Sequence, residues 1–75
     1  MITKEDVLEA IGKDRVRQST IETELVFAGK AKKHPTEIGV SESDRQLIRK
    51  HLRELEEQGL IQSYGIEKKS YELSQ

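Results

Sequence analysis

At 75 residues, with 33% apolar residues and a single Phe, the chain has room for one small domain with a thin aliphatic core. It has no cysteine, which excludes a disulfide framework and any cysteine-based zinc site. No apolar run approaches the ~18 residues of a membrane span and Met1–Asp6 is not a secretory signal, so a soluble, cytoplasmic domain is expected.

A first helix is predicted over about 3–12. Thr3 caps it, Asp6 closes a capping box, and Val7, Leu8 and Ile11 form its apolar stripe up to Gly12. Arg15-Val16-Arg17 reads as a connector or a short extended segment with Val16 pointing inward. Ser19 or Thr20 opens a second helix expected over 19–33, with Glu22 or Thr23 at the matching third position. Ile21, Leu25 and Ala28 define its buried face, while Val26 and Phe27 fall off that stripe. Gly29 weakens this helix without necessarily ending it. The basic run Lys30–His34 suits a last turn, and Pro35 stops the helix at about Lys33.

A loop over 35–42 follows, with Ile38 and Val40 as anchors and Gly39 at a turn. The third helix is expected over about 43–58, its start uncertain by two residues because two capping patterns overlap. Ile48, Leu52 and Leu55 face inward, and Gly59 supplies the C-terminal reversal. Leu60–Tyr64 and Ser70–Leu73 suit the strands of a hairpin over about 60–73, turning through Gly65–Lys69.

Three helices and then a hairpin give one α+β, mainly α, domain over 1–75. The run from Gly39 through Leu55, Gly59, Leu60 and Ile61 resembles the recognition helix and first wing strand of the winged-helix (winged helix-turn-helix) superfamily. That resemblance implies a three-helix fold with a two-stranded wing, and binding of double-stranded DNA by the third helix and the wing. Ala31-Lys32-Lys33-His34, the interval from Gly39 to Gly59 and the register 48, 52, 55 are further similar to the C-terminal winged-helix domain of archaeal replication initiators. This second likeness covers about residues 19–73 and implies origin binding. The wing departs from it, reading Tyr-Gly-Ile-Glu-Lys-Lys-Ser-Tyr where that family is rich in Arg and Gly.

Charge is spread unevenly along the chain. The net charge is −1, yet residues 30–53 carry +4 between flanks of −2 (residues 1–29) and −3 (residues 54–75). At ~100° per residue, Arg45, Gln46, Arg49 and Arg53 fall on one exposed face of the third helix, with Lys50 at its edge. Arginine reads guanine, glutamine reads adenine, and both bind phosphate. Ser41 and Ser43 could hold a phosphate at the helix start, and Lys68 and Lys69 could do so at the wing tip. Arg15 and Arg17 could add another such contact.

Against this stands a bland alternative in which Arg49 and Arg53 pair with Glu56 and Glu57. Tyr64 and Tyr71 read as packing residues of the hairpin rather than stacking platforms. With two histidines, dispersed glycines and no phosphate loop, no catalytic constellation can be assembled, and no metal or cofactor is expected. The function read from the sequence is therefore DNA binding of a transcription-regulator or replication-initiator type. A protein-interaction module, in which Val26 and Phe27 meet a partner, is the rival, and a homodimer is a further option.

Overall fold

The computed structural model describes residues 1–33 and 39–74. In chain order it contains α1 (Lys4–Ile11), β1 (Val16–Arg17), α2 (Gln18–Phe27), α3 (Glu42–Glu57), β2 (Ile61–Tyr64) and β3 (Ser70–Leu73). Three helices thus pack with a three-stranded antiparallel sheet of order β1-β3-β2.

The expected capping box at α1 is present. Thr3 Oγ1 accepts from the Asp6 amide at 3.1 Å, and the Thr3 amide donates to Asp6 Oδ2 at 2.9 Å. Val7 and Ile11 are buried, and Gly12 ends the helix at a φ of 65°.

Two expectations before α3 need correction. Val16 and Arg17 take the extended option, but the expected two-stranded hairpin is a three-stranded sheet, because they pair with Tyr71 and Ser70. Because Arg17 leaves that strand in extended conformation, α2 starts at once at Gln18. Ser19 and Thr20 therefore lie inside its first turn rather than capping it. The second correction is at the other end, where α2 stops at Phe27 instead of Lys33. Gly29 adopts a φ of 73°. Its amide donates to Val26 O at 3.0 Å, and the Lys30 amide donates to Leu25 O at 2.8 Å. That paired reversal satisfies the last carbonyls of the helix and turns the chain away. Ala28, expected on the buried face, consequently sits exposed at the cap.

The described ends of the following loop are tied to α3. Lys33 bridges to Val40, the Ser41 amide donates to Lys32 O at 3.1 Å, and the Lys32 amide donates to Asp44 Oδ2 at 3.0 Å. Val40 is fully buried as expected, whereas His34, Pro35 and Ile38 lie outside the described residues. Ser41 caps α3, and the expected inner face of Ile48, Leu52 and Leu55 is buried. Gly59, with a φ of 76°, repeats the reversal seen at Gly29: its amide bonds to Glu56 O and that of Leu60 to Leu55 O, each at 3.0 Å.

The core is aliphatic throughout. Ile2, Val7, Ile11, Ile21, Leu25, Val40, Ile48, Leu52, Leu55 and Ile61 form it, with Val16, Val26 and Tyr71 packed at its margin. His51 Nε2 lies 2.9 Å from Ile2 O, which pins the N-terminal segment to α3.

Acid should weaken the start of α1. The Thr3 amide, the Thr3 hydroxyl and the nearby Lys30 charge hold the Asp6 carboxyl below its ordinary 3.8. A carboxylate favoured in the folded state contributes stability above its unfolded pKa and loses it as pH falls through the folded one. Thermal unfolding followed by circular dichroism from about pH 6 down to about pH 3 should therefore show a shallower acid limb for Asp6→Asn than for the natural chain. At neutral pH, Thr3→Ala should cost about 1 kcal/mol of helix capping.

Candidate nucleic-acid interface

The ladder between β1 and β3 delivers the start of α2 to the hairpin turn. The result is an open groove of about 520 Å³ lined by Arg17, Gln18, Ser19, Arg49, Ile66, Glu67, Lys68, Lys69 and Tyr71. Arg49 from α3 and Lys68 and Lys69 from the turn, three of the residues expected to meet a polyanion, come together here. Arg17 joins them. The groove wall carries four cations against one carboxylate, Glu67, in a chain whose net charge is −1.

The start of α2 is also distinctive. Both α1 and α3 are capped by their own side chains and carry acidic residues in the first turn. By contrast, α2 has neither a side-chain cap nor an acidic first turn. Its first amides lack intrahelical partners, and the helix dipole places partial positive charge at the groove. Tyr71 completes the wall. Burial, with the Glu56 carboxylate second, raises its hydroxyl above the usual 10.0, so it stays a neutral donor.

The remaining candidates divide. Gln46, Lys50 and Arg53 are exposed on α3 but do not line the groove. Gln46 Nε2 donates to Glu42 Oε1 at 3.5 Å. Among the described residues neither Arg49 nor Arg53 forms an ion pair, so the expected pairing with Glu56 and Glu57 is not observed. Glu56 instead accepts a hydrogen bond from the Ser63 hydroxyl. At the start of α3, Ser41 Oγ is occupied by the Asp44 amide at 3.4 Å, with Ser43 Oγ 3.5 Å away. Glu42 and Asp44 also stand in that first turn, where they oppose the phosphate expected at Ser41 and Ser43. Arg15 is likewise engaged, 3.7 Å from Glu72 Oε2 and 3.8 Å over the Tyr64 ring. The Tyr64 hydroxyl donates to Glu72, which raises its pKa above 10.0 and holds both groups in the sheet.

Arg45 is the largest departure from the helical projection. Instead of reaching outward it turns to Glu22 on α2, with Nε 3.6 Å from Oε1, and to Glu42, with Nη1 3.8 Å from Oε2. Glu22 is the buried charged residue of the described chain, 7% exposed. Gly39 presses on this pair. A Cβ there would lie 3.2 Å from Arg45 Nη2 and 3.3 Å from Glu22 Oε1, at a φ of 113° that already favours glycine. The pair therefore ties α2, the end of the loop and the first turn of α3 together.

Arg17, expected only as an additional phosphate contact, lines the groove, whereas Gln18, Ser19 and Tyr71 were missed as groove residues. The only available signal was the alternating extended character around Val16. No protein-family model, curated protein or solved structure matches the chain.

Removing Arg45 should leave the Glu22 carboxylate buried and unpaired. Because the Arg45 side chain is 27% exposed, Arg45→Ala should cost about 2 kcal/mol rather than the larger figure for a fully buried pair. Urea unfolding would measure the loss; an unchanged midpoint would mean the pair does not hold the helices.

Proposed function

We propose that this chain is a winged helix that binds double-stranded DNA, as a transcription regulator or a replication initiator. In this reading α3 enters the major groove, while the hairpin turn and the start of α2 grip the backbone. The supporting observation is the groove in which Arg17, Arg49, Lys68 and Lys69 meet from three separate stretches of an acidic chain. Scattered surface lysines would not converge in this way. The helix–strand–helix–helix–strand–strand order, with β3 central, also supports the winged-helix assignment.

The base-reading face is narrower than the sequence implied. Arg49, Lys50 and Arg53 remain exposed, with Gln46 toward the helix start, while Arg45 serves to position α3. Uncapped amides at Gln18 and Ser19 would seat a phosphate beside Arg17. Lys68 and Lys69 would meet the backbone from the wing.

One observation favours a protein partner instead: Phe27 is 82% exposed at the end of α2. Salt dependence separates the two. Binding of a fluorescently labelled duplex should weaken with a log–log slope near −0.9 for each phosphate engaged. Arg49→Ala and Lys68→Ala should each reduce that slope by about 1, whereas Arg45→Ala should leave it unchanged. If backbone amides of 42–53 and 66–70 do not shift on adding duplex at low salt, the DNA reading is wrong and the Phe27 surface becomes the site to pursue.

A further inference from the structure

The backbone of β2 is satisfied on one side only. Ile61, Gln62, Ser63 and Tyr64 pair with Leu73, Glu72, Tyr71 and Ser70 of β3. Because β2 ends the sheet, its other side meets no strand, and among the described residues no further backbone bond closes it. Edges are commonly guarded by a lysine, a proline or a bulge, and this strand contains none of them. Its polar side chains are already engaged within the domain. The Tyr64 hydroxyl donates to Glu72 and lies 2.7 Å from Gln62 Oε1, while the Ser63 hydroxyl donates to Glu56 of α3. An added strand would therefore have few side chains to order on this side of the contact.

Charge selects the occupant. Residues 54–75 sum to −3, and neither Glu56 nor Glu57 forms an ion pair among the described residues. A second copy laid edge to edge would bring two such acidic flanks together. The chain's own basic run is not free to serve as the added strand. Lys32 O accepts from the Ser41 amide, the Lys32 amide donates to Asp44, and Lys33 bridges to Val40. Nucleic acid is repelled by the same carboxylates. An extended polypeptide bearing lysine or arginine meets both conditions, with main-chain bonds to the edge and cations toward Glu56 and Glu57.

We propose that the outer edge of β2 docks an extended basic segment of a partner protein, which joins the three-stranded sheet as a further strand. In such an addition main-chain bonds supply the affinity and alternate side chains the choice of sequence. Ile61 is buried, so Ser63 shares its inward face, the face on which Glu56 waits. Leu60, 48% exposed, belongs to the opposite face with Gln62 and Tyr64. The segment should accordingly alternate, with cations toward Glu56 and apolar residues toward Leu60. None of Ile61–Tyr64 lines the cationic groove, so this surface stands or falls separately from the DNA reading.

The test titrates isotope-labelled protein with a blocked peptide of alternating lysine and valine, in the absence of nucleic acid. Amide signals of 61–64 should shift and their hydrogen exchange should slow, while those of Arg17 and Arg49 stay in place. A glutamate–valine peptide, and a lysine–proline peptide of equal charge but fewer main-chain donors, should each bind at least about tenfold more weakly. Glu56→Gln, which keeps an acceptor for Ser63, should weaken the lysine–valine peptide roughly threefold, and Glu56→Gln with Glu57→Lys about tenfold, at an unchanged unfolding midpoint. Equal binding of the glutamate–valine peptide would overturn the choice of a basic partner. Equal binding of the lysine–proline peptide would reduce the contact to charge alone and overturn the added strand. Absence of shifts in 61–64 would overturn the docking edge itself. Protection of these amides without peptide, in a protein that sediments as a dimer, would make a second copy the occupant and overturn the proposal.

Discussion

Val16 and Arg17 pair with Tyr71 and Ser70 over only two residues, yet this short ladder decides where three other parts of the chain lie. It makes β3 the centre of the sheet and starts α2 without a connecting loop. It also brings the uncapped end of that helix opposite the hairpin turn. Without it the hairpin would be held only by α3 and α1, and Arg17 would have no reason to face Lys68 and Lys69. Two backbone pairs are weak by themselves. They persist because Val16 packs on the core and Tyr71 fills the margin beside it.

Charge is arranged around that frame in three ways. Carboxylates near helix starts are consumed locally: Asp6 by Thr3 and Asp44 by the Lys32 amide. Others bind pieces of the fold together, as Glu22 does with Arg45, Glu54 with Lys4 at 2.9 Å, and Glu72 with Tyr64 and Arg15. Cations along the groove have no such internal partners among the described residues, and they set the local potential. A net charge near zero thus conceals a strongly polarised surface.

How much of this was legible in the sequence follows from how local each determinant is. The capping box at Thr3, the seam of Ile48, Leu52 and Leu55, the reversal at Gly59 and the hairpin were all readable, because each is fixed by residues within one or two turns. Gly29 was ambiguous: an isolated glycine can weaken a helix or end it. The outcome turned on whether the Lys30 amide would reach Leu25 O, which periodicity does not encode. A strand of two residues has no period to detect, so β1 read as a connector or short extended segment without a pairing partner. Arg45 projects outward on a bare helix. Only the packing of α2 alongside supplies the buried carboxylate that draws it in, and Glu22 in the sequence read merely as a capping candidate. The groove needed the strand order, which no local signal carries.

The sheet order has one more consequence. With β3 central, the outer edge of β2 faces no other strand of the sheet, and Ile61-Gln62-Ser63-Tyr64 offers no charge to discourage another chain from pairing there. Protection has to come from the neighbourhood. Glu56 holds the Ser63 hydroxyl, Glu72 lies opposite Gln62, and Glu57 and Glu67 flank the strand in sequence. These carboxylates give the open edge of β2 a negative border, which disfavours the approach of another acidic strand.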